Sequence, residues 1–283
     1  MPQLRPFLLL LAALLLPTAS AGAAENPFGH TLPFKSATVA YQITGNETGT
    51  ETLHIADYGR KRARLRDSTA KFMFVTTRNH TLELIDPEWQ ITIDLDKKSG
   101  TKTINPVKLL NEEYNKLSAA EQKIVRRNLE KMGANAATGA TVQYKAAKHL
   151  GHPCDVVTAA GVKSLVLSGT DVAAKVEIKT TGMQSRTVAT KIDTKAAVAA
   201  SKFAVPAGIK VNRDPAQDEA ARRSAKATIA FLKDPEADKK VAAGVAEAER
   251  AQKESGQAAG EQKQDAAAEA MQKGLESLKG LLK

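Results

Sequence analysis

"WQITIDLDKKSGTKTI", residues 89–104, alternates apolar and polar side chains over its first half: Trp89, Ile91, Ile93 and Leu95 on one side, Gln90, Thr92, Asp94 and Asp96 on the other. Successive side chains of an extended strand point to opposite faces, so a period of two marks a half-buried strand. The glycine-containing turn at residues 97–100 then brings the chain back as a hairpin. One wet face and one dry face are the habit of an antiparallel sheet packed on a single side.

The same period runs outward from this hairpin. In residues 36–45 (SATVAYQITG), Ala37, Val39, Tyr41 and Ile43 fall opposite Thr38, Gln42 and Thr44, and Gly45-Asn46 offers a turn. Residues 50–59 (TETLHIADYG) continue with Leu53 and Ile55, and residues 71–76 (KFMFVT) and 81–85 (TLELI) read as two more strands. Residues 105–117 predict a short helix. Behind it Ser118-Ala119-Ala120-Glu121 has the capping-box spacing, ahead of Ile124, Leu129 and Met132, with Gly133 as the stop. Strand-like pieces resume over residues 141–204, ending in "SKFAVPAG", residues 201–208. These patterns predict an α+β domain over residues 25–213, with roughly ten short antiparallel strands and a helical insert near residues 106–133.

The two ends of the chain read differently. Arg5, the apolar run of residues 7–16, and Pro17 followed by small residues up to Ala24 have the form of a secretory signal peptide over residues 1–24. Ten apolar residues are too few to span a bilayer, which needs about 20. The expectation is a protein exported to the periplasm of a Gram-negative bacterium, with no transmembrane segment once the leader is removed. From Asp214 the composition turns to Ala, Glu, Lys and Gln, and Asp214-Pro215 and Asp234-Pro235 each look like an N-cap followed by proline at the first helical position. The tail, residues 214–283, is therefore expected to be α-helical or partly disordered. At its end Met271, Leu275, Leu278 and Leu282 recur at helical spacing. Such a stripe suits a membrane surface, an envelope protein, a second copy, or the chain's own body.

The net charge of +10 is uneven: residues 25–213 carry 28 Lys and Arg against 18 Asp and Glu, and residues 214–283 carry 12 against 13. A basic exported body is drawn towards lipid or another anionic envelope component. Nucleic acid is excluded as a partner by the compartment.

Signals for chemistry are few. In "YGRKRARLRD", residues 58–67, the two-residue period places Arg62, Arg64 and Arg66 on one face of a strand. Three guanidiniums in a row can grip phosphates; a charged outer face that blocks edge-to-edge pairing is the more ordinary use. The single cysteine, Cys154, stands in "HLGHPCDV", residues 149–156. Read as one strand, this stretch puts His152 and Cys154 on one face and His149 on the other, which does not make a metal site. A turn at residues 151–153 followed by a buried Cys154 is the expected role. No catalytic, cofactor or metal motif is present, so none of these is assigned and no enzyme is expected.

The order of leader, meander, helical insert and second set of strands, together with "GTETLHIADYG" (49–59), "KSGTKTINP" (98–106), "GHPCDVV" (151–157) and "SKFAVPAG" (201–208), resembles the LolA/LolB-like periplasmic lipoprotein-carrier superfamily, and its small uncharacterised relatives most of all. The resemblance covers roughly residues 36–210. It implies a curved antiparallel sheet, an incomplete β-barrel covered by one or two helices, whose concave face holds lipid chains. The chain departs from the carriers in its 4% of aromatic residues. Val39, Ile43, Leu53, Ile91 and Ile93 are the expected lining, with Arg62, Arg64 and Arg66 near a head group. Two functions follow as expectations: a non-enzymatic binder of a lipid or other hydrophobic ligand, or an envelope scaffold acting through its C-terminal helices.

Overall fold

The computed structural model describes residues 27–29, 31–72, 75–134, 141–159, 161–180, 183–237 and 239–240. The expected leader, residues 1–24, and the stripe of Met271, Leu275, Leu278 and Leu282 lie outside the described residues.

The elements run in chain order as β1 (Ala37–Gly45), β2 (Glu47–Ala56), β3 (Lys61–Phe72), β4 (Val75–Ile85), β5 (Trp89–Asp94), β6 (Ser99–Ile104), α1 (Pro106–Asn115), α2 (Ala119–Ala134), β7 (Thr141–His149), β8 (His152–Ala159), β9 (Val162–Leu167), β10 (Ala173–Thr180), β11 (Met183–Asp193), β12 (Lys210–Arg213) and α3 (Pro215–Leu232). The strands form one 12-stranded sheet in the order β12-β6-β5-β4-β3-β2-β1-β11-β10-β9-β8-β7. All pairings are antiparallel except that of β12 with β6. The fold is thus α+β with a curved, unclosed sheet. One expected strand is corrected: residues 71–76 straddle a hairpin, with Lys71 and Phe72 ending β3 and Val75 and Thr76 opening β4. An apolar run shows burial or a tip equally well, and only the pairing of β3 with β4 tells them apart.

The curvature follows from one contact. Arg62 of β3 donates from Nη2 to both oxygens of Asp171, at 2.8 Å, and Asp171 lies just before β10. Four strand spacings separate β3 from β10, roughly 19 Å in a flat sheet, farther than side chains reach. The sheet therefore curls, with Arg62 on its concave side. The register carries that side onward: Arg62 faces Ile55, Arg64 faces Leu53 and Arg66 faces Glu51, while Leu53 and Ile55 in turn face Val39 and Ala37.

Two apolar clusters lie on opposite sides of this one sheet. The first, on the concave side, joins Ala37, Val39, Tyr41, Leu53 and Ile55 to Leu32, Cys154, Leu167, Val172, Ala174 and Ala189. The second consists of Ala63, Leu82, Leu84 and Ile93, which stand opposite one another on the convex side, and is covered by Phe203, Ile209 and Val211 from the strap between β11 and α3. Sheet polarity therefore swaps between β2 and β3.

The helices pack beside β6. Tyr114, Val125, Ile229 and Leu232 bring α1, α2 and α3 together, and Ala225 of α3 meets Ile104 and Leu109. Each helix begins as its sequence dictates. Asn105 Oδ1 accepts from Val107 N–H at 2.9 Å, Glu121 Oε2 accepts from Ser118 N–H at 2.9 Å, and Asp214 Oδ1 accepts from Gln217 N–H at 3.0 Å. The far end of α3 is closed by α2, where the fully buried Asn128 donates through Nδ2 to Leu232 O (2.8 Å) and Asp234 O (2.7 Å). No helix among the described residues is long and apolar enough to cross a membrane.

Candidate functional site: the concave arginine ladder

The motif of residues 49–59 builds the floor of this site. Its odd positions share the concave side: Gly49 admits β3 closely, Glu51 meets the arginines, and Leu53 and Ile55 enter the core. The motif ends in a tight corner where Asp57 and Tyr58 hold φ of 54° and 56° and Gly59 a φ of 94°. Non-glycine residues avoid this region. The corner is held from outside, because Leu32 N–H donates to Tyr58 O at 2.9 Å and Tyr58 N–H to Lys35 O at 3.0 Å. A side chain at position 59 would strike Leu32, 2.9 Å away.

Arg62, Arg64 and Arg66 share one face, as their spacing requires, but that face is the inner one. The outer, edge-protecting role is corrected by the register with β2, which the spacing within β3 does not contain. Arg66 grips Glu47 through Nη2 (2.6 Å) and Nε (3.0 Å) and reaches Glu51 through Nη1 (3.1 Å). Arg62 is taken by Asp171. Arg64 is the least engaged: its nearest carboxylate oxygen, on Glu51, is 3.7 Å away, and its side chain is 46% exposed. With Glu83 opposite Arg64 in β4, four carboxylates answer three guanidiniums. The ladder is a neutralised polar network, unlike a free anion grip.

Its protons are fixed. Burial raises the Glu47 carboxyl, but the hydrogen bonds from Arg66 and Ser68 outweigh it and hold the group below the usual carboxylate range. Although the Ser68 hydroxyl donates to Glu47, an acceptor so stabilised as the anion is a poor base. Burial pushes the Tyr41 hydroxyl well up, and this hydroxyl donates to Ala173 O at 2.9 Å.

Beyond the arginines the concave side of β5 and β6 is polar, and that of β4 is polar between Val75 and Ile85. One register row reads Arg64, Glu83, Thr92, Thr101 and finally Asn212 of β12. Arg64, Thr92 and Asn212 are exposed and the other two half-buried. The row spans about 19 Å with donors and acceptors interleaved.

The expected apolar lining divides. Val39 and Leu53 lie on the concave side and are packed into the protein's own core, and Ile43 is fully buried. Ile91 and Ile93 belong to the convex cluster and do not share a surface with the others. Glu47, Glu51 and Asp171 went unremarked in the sequence. Opposite charges on consecutive predicted strands were a usable sign of Glu51; Asp171, in a turn 109 residues from Arg62, had none.

The Cys154 stretch is also clarified. The turn is Leu150-Gly151, with φ of 47° and 82°, one residue earlier than expected, and it pairs His149 with His152 across β7 and β8. The two imidazoles therefore share a side, correcting the one-strand reading. The His149 Nε2 atom lies 2.7 Å from Ala189 O. Cys154 is fully buried, and burial pushes its thiol up. Maleimide labelling of the native protein is expected to be at least about a hundredfold slower than in urea; comparable rates would contradict the burial. Among the described residues no three of His, Cys, Asp and Glu gather to hold a metal.

No family model and no curated protein matches the chain. Among solved structures it is similar to an uncharacterized conserved protein from Thermus thermophilus, at 6% identity and TM-score 0.40, covering 64% of this chain and 92% of that one. It is similar to MucB at 13% identity and TM-score 0.34, covering 62% and 59%, and to MucB in complex with MucA(peri) at 12% and 0.33, covering 62% and 56%. The chain thus spans under two thirds of MucB, and the likeness is one of coarse fold.

Proposed function

We propose that the protein is a non-enzymatic binding protein, exported to the periplasm, that holds a protein partner of mixed charge against the polar row of Arg64, Glu83, Thr92, Thr101 and Asn212. The observation that carries this reading is the filled concave interior. Val39, Leu53 and Ile55 pack on Leu32, Cys154 and Leu167, where the carrier-type reading would lay a lipid chain. The polar half of the same side stays open to solvent at Arg64 and Thr92. Interleaved donors and acceptors on a stiff sheet suit a surface that is itself polar, and such rows contribute orientation and partner choice.

The reading is tested on protein taken from its native envelope. A photo-crosslinking residue at Thr92 is expected to give one discrete protein adduct, while the same residue at Thr50, exposed on the convex side, gives none. A lipid adduct at Thr92, or equal labelling from both positions, would overturn it. Removing residues 241–283 leaves α3 and its helical contacts in place, so this truncation separates any contribution of the C-terminal stripe from that of the sheet.

A further inference from the structure

Three segments far apart in sequence meet on the convex side at the corner between β2 and β3. The N-terminal segment supplies Lys35, the corner supplies Ala56, Asp57 and Lys61, and the strap after β11 supplies Val198, Ala200 and Phe203, lining an open depression of about 340 Å³. Its walls are tied together. Lys35 O accepts from Tyr58 N–H, and Ser36 Oγ donates to Ala196 O at 2.9 Å. The left-handed backbone at Asp57 and Tyr58 is thereby held in a conformation that unsupported residues leave.

The lining has two characters. Asp57 is already paired with Arg60 at 2.7 Å, whereas Lys35 and Lys61 are exposed and have no ion pair among the described residues. The rim is therefore cationic. The floor is apolar, with Phe203 anchored in the convex core cluster beside it. We infer that this depression binds an amphiphile bearing a single anionic head group, the head group between Lys35 and Lys61 and the apolar body over Ala56, Val198, Ala200 and Phe203. An inorganic anion would leave the floor wet, and a neutral chain would leave the two lysines only the Asp57 carboxylate, which they share with Arg60. The volume falls within the usual range for small-molecule sites, about 300–1,000 Å³.

The test is a titration of the full-length, isotope-labelled protein with decyl phosphate, followed by backbone amide shifts, with inorganic phosphate and decanol as separate arms. Saturable shifts are expected at Ala56, Ala200 and Phe203, with decyl phosphate at least about tenfold tighter than either fragment. The double variant Lys35→Gln, Lys61→Gln replaces exposed side chains and is expected to fold normally while binding about tenfold more weakly or less. Arg64→Gln, on the other side of the sheet, is expected to leave this binding unchanged, so the fate of this site is independent of the proposed partner row. Phosphate binding as tightly as decyl phosphate, decanol doing so, or shifts confined to other residues would each overturn the inference.

Discussion

Gly49→Val is expected to abolish cooperative folding at 25 °C, a loss of about 4 kcal/mol or more. A Cβ built on Gly49 falls 2.5 Å from the Cα of Ser68 and closer still to the carbonyl oxygen of Asp67, and the glycine itself holds φ at +152°. Both obstacles are backbone of the neighbouring β3, so no rotamer change relieves them. Moving β3 outward would break the ladder that sets Leu53 opposite Arg64 and Glu51 opposite Arg66. Gly151→Ala is the control: its φ is also positive, at +82°, but nothing lies within 4 Å of its Cβ, and the expected cost is only about 1 kcal/mol. Urea unfolding followed by circular dichroism distinguishes them. A Gly49→Val protein that unfolds at the parent's urea midpoint would show that β2 and β3 do not approach as described.

Asp218→Ala is expected to cost about 3 kcal/mol and to release α3 from the sheet. This carboxylate, only 4% exposed, accepts from Ile104 N–H at 2.7 Å and from Arg213 Nε at 2.6 Å, fastening α3 to β6 and to β12. The same guanidinium stands 5.2 Å from the ring of Trp89, which has Lys102 Nζ at 3.9 Å. Trp89 is the chain's one tryptophan, so its emission reports the release directly. An unchanged urea midpoint together with unchanged emission would refute the fastening. Burial raises the Asp218 carboxyl, but the Ile104 amide and Arg213 outweigh it and depress the folded-state value. A depressed carboxylate contributes its stability above the unfolded value, near 3.9, and loses it as pH falls through the folded value. The parent is therefore expected to lose stability more steeply than Asp218→Asn on acidification below about pH 4.

The two halves of the prospective site differed in how legible they were. That Arg62, Arg64 and Arg66 share a face needed only the period of two. Which face needed the partner strand: β3 taken alone, with Ala63 and Leu65 between the arginines, reads as an outer strand with its charges in water. Leu65 illustrates the point, since it lies on the convex side yet is 40% exposed. The apolar lining failed for the same reason. Ile91 and Ile93 alternate just as Val39 and Leu53 do, but four and three strands away from them and on the opposite surface. Alternation defines two sides of a strand and is silent on which one the rest of the chain covers.

Local order was the province of the sequence by itself. Strand periodicity and the caps at Asn105, Ser118 and Asp214 are decided within a few residues, because side-chain direction and φ/ψ preference act at that range. Tertiary structure alone decided where polarity changes sides, that Asp171 neutralises Arg62, and that Lys35, Lys61 and Phe203 meet. Each of these depends on inter-strand register and on the curl of the sheet, which arise from contacts summed over 12 strands and are encoded in no single stretch.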